Sequence, residues 1–123
     1  MASALDFGVQ SYCFRNFKDN KDVAKKVKEI GVSSIEVCAV HANFNDTAGF
    51  KDVVKIYKDE GVKIVSIGVQ TFKGLDTERD WFECLKIAGA KHISAHFTVD
   101  TFQTAVPKVA KLAEEFDVKV GIH

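Results

Sequence analysis

A chain of 123 residues has room for one domain. Its content of 46% hydrophobic and 28% charged residues is typical of an ordered globular protein. Seventeen basic residues balance 17 acidic ones, which argues against nucleic-acid binding because phosphate backbones attract basic surfaces. No run approaches the roughly 18 apolar residues of a membrane span, and the N-terminus lacks a signal-peptide pattern. Three scattered cysteines without CxxC spacing predict reduced thiols. We therefore expect a cytoplasmic protein that contacts neither membranes nor nucleic acids.

The predicted elements alternate between strand and helix along the chain. The run 7–12 predicts the first strand, and the first helix should extend from about Asn20 to Ile30 with Asp19 or Asn20 as its cap. The second and third helices follow polar segments at 45–47 and 77. Because proline is tolerated in a first turn but kinks a helix interior, Thr101–Ala105 should be a separate turn before a fourth helix that begins at Pro107. The later strands are predicted at 35–37, 64–67, 92–95 and 120–123.

A repeat organises these elements. The turns before the four later strands stand at residues 31, 61, 89 and 117, at spacings of 30, 28 and 28. A period near thirty with one helix and one strand per unit is typical of a βα repeat, whose parallel strands form an open sheet or a barrel. A closed barrel has eight strands and about 250 residues. Five strands and four helices therefore predict an α/β protein with a partial (β/α) TIM barrel.

The two faces of the strands favour a barrel over an open sheet. Strand side chains alternate between faces, and one predicted face is rich in β-branched aliphatic residues. The other predicted face is small or polar: Gln10, Tyr12, Glu36, Cys38, Ser66, Gly68, Gln70, Ser94, His96, Gly121 and His123. Doubly wound sheets are apolar on both faces, whereas a polar inner face fits a barrel with its active site at the strand carboxyl ends. An open flavodoxin-like sheet of this size is the alternative.

Three histidines are predicted at or just beyond strand carboxyl ends, namely His41, His96 and His123. Together with Glu36 they would suit a divalent metal ion such as Mn²⁺, Zn²⁺, Co²⁺ or Mg²⁺, because imidazole and carboxylate are common ligands of such ions. Each histidine taken alone could instead be a surface or hydrogen-bonded residue.

Glu36 in the middle of a strand predicts either a buried hydrogen bond or ion pair that fixes the barrel, or a catalytic contact with a substrate hydroxyl or a metal-bound water. Gln10, Tyr12 and Gln70 have the donors and acceptors that sugar hydroxyls need, and Arg15 could bind a phosphate. The chain lacks GxGxxG and GxSxG motifs, so nucleotide binding and a serine-hydrolase elbow have no support.

Four stretches resemble the N-terminal part of the sugar phosphate isomerase/epimerase family, the xylose-isomerase-like TIM barrels: residues 8–15, residues 35–37 with His41, residues 65–69 and residues 118–123. The resemblance implies a metal-dependent sugar isomerase or epimerase that transfers a proton next to a carbonyl. It also implies that His123 replaces a metal-binding glutamate of many members. In the family, the other metal ligands and the acid/base carboxylates come from later strands, so we expect this chain to be catalytically incomplete.

Other functions stay open. A sugar lyase or dehydratase of the same superfamily would use a similar site. A half-barrel assembly module is also possible, because unpaired edges at the first and fifth strands recruit partners, either a second copy of the chain or a C-terminal half-barrel. An apurinic endonuclease is disfavoured by the neutral charge. We expect the isolated chain to self-associate and to show no turnover.

Overall fold

A computed structural model describes residues 6–123 as a five-stranded parallel sheet in the order β1-β2-β3-β4-β5, with four helices between the strands. The strands are β1 (Gly8–Gln10), β2 (Ser34–Val37), β3 (Lys63–Phe72), β4 (His92–Phe97) and β5 (Lys119–Ile122), and the helices are α1 (Asn20–Glu29), α2 (Thr47–Asp59), α3 (Arg79–Ala88) and α4 (Phe102–Phe116). Two short 3₁₀ turns cover Ser11–Phe14 and Asp76–Glu78. Each strand pairs with the next one along the chain, which confirms the predicted βα repeat and partial barrel.

The first two helices begin at side-chain caps. The Asp19 carboxylate accepts hydrogen bonds from the backbone N–H groups of Lys21 and Asp22, which confirms Asp19 as the cap of α1. Asp46 caps α2 in the same way by accepting from the Gly49 N–H. These contacts satisfy donors that the first turn of a helix leaves unpaired, and they fix where each helix leaves its loop.

The prediction for α4 was wrong. The helix begins at Phe102 and continues through Pro107 to Phe116, with no separate turn before the proline. Pro107 lies six residues into the helix and lacks the N–H that would bond to the Gln103 carbonyl. Gln103 is exposed, so water can hydrate that carbonyl and reduce the cost of the lost bond.

The hydrophobic core lies between the helices and one face of the sheet. Its largest fully buried side chains include Tyr57, Phe50, Phe72, Phe82, Ile35, Ile67, Leu85 and Ile93. The opposite face of the sheet, which we call the polar face, includes the half-buried Glu36 and Ser94 and the exposed His96. This asymmetry is the one predicted for a barrel wall. None of the helices in the described range is long and apolar enough to cross a lipid bilayer.

Strand β3 departs from simple alternation near its carboxyl end. Ile67 is aligned with Ile93, but the next aligned pair is Gln70 with Ala95, so β3 contains one extra residue, at the point where the Gly68–Val69 peptide bond is cis. Aligned residues of adjacent strands point to the same side of a sheet. Gln70 therefore lies on the helix-covered face beside Ala95, and its predicted place on the polar face was wrong.

Candidate functional site

The centre of the polar face is a hydrogen-bond cluster around Glu36. One carboxylate oxygen accepts from the Gln10 amide, with Nε2···Oε1 at 2.6 Å. The other accepts from the hydroxyl groups of Ser66 at 2.5 Å and Ser94 at 2.7 Å. These four residues come from β1, β2, β3 and β4, so one carboxylate connects four adjacent strands. Of the two roles predicted for Glu36, this geometry matches the hydrogen bond that fixes the barrel wall.

Gln10 is also held by the protein. Its amide nitrogen donates a second hydrogen bond to the Gly68 carbonyl at 3.0 Å, and its amide oxygen accepts from the Tyr12 N–H at 3.0 Å. Both amide protons are thus used within the chain, and one oxygen lone pair is left for a ligand. A contact between Gln10 and a sugar stays a prediction that depends on this remaining acceptor.

A cavity of about 420 Å³, which we call the mouth cavity, lies at the carboxyl ends of the strands. It is lined by Gln10, Tyr12, Cys38, Ala39, Val40, Val69 and His123. Tyr12 lies in the 3₁₀ turn after β1 and not in the strand as predicted, because β1 ends at Gln10. The Arg15 guanidinium stacks over the Tyr12 ring at 4.8 Å and donates to the Tyr12 carbonyl at 3.2 Å. The turn thus brings a phenol and a cation to one rim of the cavity.

His41 is buried beneath the loop after β2 and contacts the protein through both ring nitrogens. Nδ1 lies 3.0 Å from Ser11 Oγ, and Nε2 lies 2.7 Å from the Phe17 carbonyl oxygen. Ser11 is itself fully buried and accepts the Cys38 N–H at 2.9 Å. His41 therefore connects the loops that follow β1 and β2, and in this conformation neither of its nitrogens is free to bind a metal ion.

His96 and His123 lie side by side at the ends of β4 and β5. Ala95 of β4 is aligned with Ile122 of β5, and the His123 N–H donates to the Ala95 carbonyl at 2.8 Å. His96 and His123 each follow one residue of that aligned pair, so they are neighbours across the two strands. Imidazole is a suitable ligand for a divalent metal ion. Within residues 6–123, however, no group of three or more His, Cys, Asp or Glu side chains is arranged to hold a metal. Two adjacent histidines provide only part of a ligand set, and metal binding stays a prediction.

Burial shifts two acidic groups that lie away from the mouth cavity. Burial, with smaller effects from Asp80, Asp46 and Glu83, raises the pKa of the Cys84 thiol to about 12. Burial also raises the pKa of Tyr57, whose hydroxyl donates to Asn20 Oδ1 at 2.7 Å. Both groups stay protonated at neutral pH and belong to the core.

Two kinds of contributor to the site were not predicted from the sequence. The first is the pair Ser66 and Ser94, which were predicted on the polar face without a role, although a hydroxyl group opposite a strand carboxylate is a natural hydrogen-bond donor. The second is Val69, which lines the mouth cavity, whereas strict alternation from Ile67 would place it on the helix-covered face. The extra residue in β3 has no obvious signal in the sequence apart from the glycine at 68.

Comparisons with known proteins support the fold. The chain is similar in structure to an uncharacterized protein from Parabacteroides distasonis ATCC 8503, with a TM-score of 0.76 and 18% sequence identity over 94% of this chain and 51% of that one. It is also similar to a xylose isomerase-like TIM barrel/4-hydroxyphenylpyruvate dioxygenase fusion protein, with a TM-score of 0.62 and 13% identity over 98% of this chain and 22% of that one. The chain thus spans about half of the first protein and less than a quarter of the second.

No protein-family model matches the chain, and no curated protein matches it at a significant level. Structural similarity at such low identity shows the fold alone. The fold is that of a partial (β/α) TIM barrel, and the sugar isomerase/epimerase activity that the sequence resemblance implies is taken up below as a proposal.

Proposed function

We propose that the mouth cavity binds a sugar or a sugar phosphate and that the chain forms part of a metal-dependent isomerase/epimerase-like barrel. The observation that carries this proposal is the position of the cavity at the carboxyl ends of parallel strands, directly beside a polar face organised by Glu36. In barrels of this class the loops at that end form the active site. The choice of sugars and sugar phosphates as the substrate class comes from the sequence resemblance.

Several polar groups at the mouth cavity are available for a ligand. The Tyr12 hydroxyl and the His123 imidazole form no side-chain hydrogen bond with residues 6–123, and each lines the cavity. The Arg15 guanidinium lies over the ring of Tyr12, which lines the cavity, and a guanidinium binds phosphate oxygens in pairs. A phosphate on the substrate would therefore lie towards Arg15, and the sugar hydroxyls towards Tyr12 and His123.

Metal binding, as proposed here, would use His96 and His123 as two of the ligands. A divalent ion at this place would polarise the carbonyl of an open-chain sugar. The remaining ligands and an acid/base pair would have to come from other strands, either those of a second copy of the chain or those of a C-terminal half-barrel. Glu36 would position Gln10 and the polar face in this scheme, since its oxygens already accept three hydrogen bonds.

The test is calorimetric titration of the chain with D-xylose and with D-glucose 6-phosphate, each with and without Mn²⁺. We expect Tyr12→Phe to weaken both ligands roughly fivefold, the effect of about one lost hydrogen bond, and Arg15→Gln to weaken only the phosphate. His123→Ala should abolish the dependence on Mn²⁺. His92→Ala is the matched control, since this exposed histidine begins β4 at the other end of the sheet. Equal affinities in Tyr12→Phe, His123→Ala and the unaltered chain would contradict the proposal.

A half-barrel assembly module is the second candidate, supported by the edge of β5. The sheet has unpaired edges at β1 and β5 within the described residues, and a largely apolar groove of about 680 Å³ lies beside β5. The groove is lined by α4 residues, by Phe97 and Val120, by Ile122, which is 73% exposed, and at its rim by His96 and His123. We propose a second copy of the chain as the occupant, because a net charge of zero gives no repulsion between copies. Light scattering that shows a monomer at every concentration, with or without Mn²⁺, would contradict self-association.

A further inference from the structure

Gln70 is a polar residue in a nearly buried position whose side chain has no hydrogen-bond partner among residues 6–123. The residue is only 8% exposed, and its side-chain amide forms no hydrogen bond with any residue from 6 to 123. Yet every fully buried side-chain nitrogen or oxygen in that range has a hydrogen-bond partner. The Gln70 amide must therefore keep some contact with solvent. It does so through the cavity that it lines. An amide without partners in a closed interior would destabilise the fold by several times the free energy that one hydrogen bond contributes.

This second cavity, which we call the outer cavity, has a volume of about 390 Å³ and lies on the helix-covered side of β3. Gln70 and Trp81 line it together with the loop that follows β2. Ala39 and Val40 line both the outer cavity and the mouth cavity, so this short segment separates the two. None of the residues that line the outer cavity carries a formal charge. Its volume lies within the usual range of small-molecule sites, about 300–1,000 Å³.

The indole of Trp81 is fixed in the wall of the outer cavity. Its Nε1–H donates to Asn45 Oδ1 at 3.2 Å, and the Asn45 amide nitrogen donates to the Thr77 carbonyl at 2.9 Å. The ring also packs edge-on against the buried Phe72, with 5.0 Å between ring centroids. The polar edge of the indole is thus satisfied by the protein, and what it offers to the cavity is aromatic surface.

We propose that the outer cavity is a binding site for a small neutral polyhydroxy molecule, such as a sugar ring or a polyol. The free Gln70 amide can both donate to and accept from adjacent hydroxyl groups, which is the pattern that a diol presents. The C–H face of the same molecule packs against the Trp81 indole. The uncharged lining favours a neutral ligand over a phosphorylated one. The site is independent of the function proposed for the mouth cavity, because the two cavities present different polar groups.

Intrinsic fluorescence tests this proposal directly, since Trp81 is the only tryptophan in the sequence. The full chain is titrated with D-glucose, with D-xylose and with cyclohexanol, which keeps an apolar ring face but has a single hydroxyl group. We expect a saturable change with at least one of the sugars. Gln70→Met, which keeps the length of the side chain and removes both hydrogen-bonding groups, should weaken sugar binding roughly five- to tenfold. Gln103→Met in the exposed first turn of α4 is the matched control and should change nothing.

Three results would overturn the proposal: no saturable change with either sugar, equal affinity in Gln70→Met, or cyclohexanol binding as tightly as the sugars, which indicates a plain apolar cavity. Far-UV circular dichroism checks that Gln70→Met is folded. If it is not, Gln70→Glu replaces it, because that variant keeps the size and loses the amide donor. The indole N–H resonance of Trp81 is a second readout of binding. Tyr12→Phe should leave sugar binding at the outer cavity unchanged, which separates this site from the mouth cavity.

Discussion

Replacing Glu36 with alanine is the most direct test of how the polar face is held together. The substitution removes the acceptor of three hydrogen bonds at once and leaves the Gln10 amide and the hydroxyl groups of Ser66 and Ser94 without their shared partner. Because the three donors belong to β1, β3 and β4, the loss affects four neighbouring strands together. We expect a stability defect of the whole sheet, with no separate unfolding of one strand.

The size of the effect follows from the geometry. A hydrogen bond to a charged group contributes about 1.5–3 kcal/mol when buried, but Glu36 is half-buried and water can enter the space left by the side chain. At about 1 kcal/mol for each bond, Glu36→Ala should lower the free energy of unfolding by about 3 kcal/mol. Glu36→Gln keeps one acceptor oxygen and should cost roughly half as much.

The assay is urea unfolding followed by circular dichroism and by Trp81 fluorescence. With a slope of about 1.5 kcal/mol per molar urea, a loss of 3 kcal/mol lowers the midpoint by roughly 2 M. Glu29→Ala is the control, since this exposed glutamate lies at the end of α1 and should change stability by no more than about 0.5 kcal/mol. A midpoint for Glu36→Ala equal to that of Glu29→Ala would refute this prediction and show that water replaces the carboxylate as partner of the three donors.

Three further predictions concern a glycine and the cysteines. Gly68→Ala should destabilise the fold by more than about 2 kcal/mol, because φ is 134° and a Cβ there would lie 2.5 Å from the Ser94 carbonyl oxygen. Gly121→Ala is the control in the same urea assay. Its Cβ would have its nearest neighbour 4.0 Å away, so it should destabilise the fold by less than about 1 kcal/mol. An aromatic disulfide reagent should react rapidly with one thiol, Cys13, and Cys13→Ser should abolish that phase, since the other two cysteines are buried; a second rapid thiol would contradict this. The unfolded Cys84 thiol has an ordinary pKa of 9.0 and the folded one a pKa of about 12, so its contribution to stability is complete below pH 9 and is lost as pH rises towards 12. Urea midpoints at pH 8 and pH 10.5 should therefore differ more in the unaltered chain than in Cys84→Ser, and equal differences would argue against the shift.

Much of the fold could be predicted because it depends on local patterns. The spacing of the turns before Ile35, Ile64, His92 and Val120 predicted parallel strands joined by helices, and the structure has them. Helix caps are equally local, and the cap of α1 is Asp19, one of the two residues predicted for it. The boundary of α4 was missed because a proline rule describes one lost hydrogen bond and takes no account of whether water can replace it.

The site was less predictable because it depends on register between distant strands. Period-two alternation placed Glu36 correctly near the serines that donate to it, but one extra residue in β3 moved Gln70 to the opposite face. His41 was predicted as a rim residue from its distance after β2. Its actual partners, Ser11 and the Phe17 carbonyl, belong to the loop after another strand, and no periodicity indicates them.

Because of the extra residue in β3, side chains before and after Gly68 follow opposite alternation patterns between the two faces of the sheet. Deleting Val69 would remove the irregularity between β3 and β4, which would turn Gln70 towards Glu36 and force Phe72 out of the aromatic core. The number of residues in β3 is therefore constrained independently of their identity. A sequence alignment that places a gap there would pair residues that serve opposite sides of the sheet.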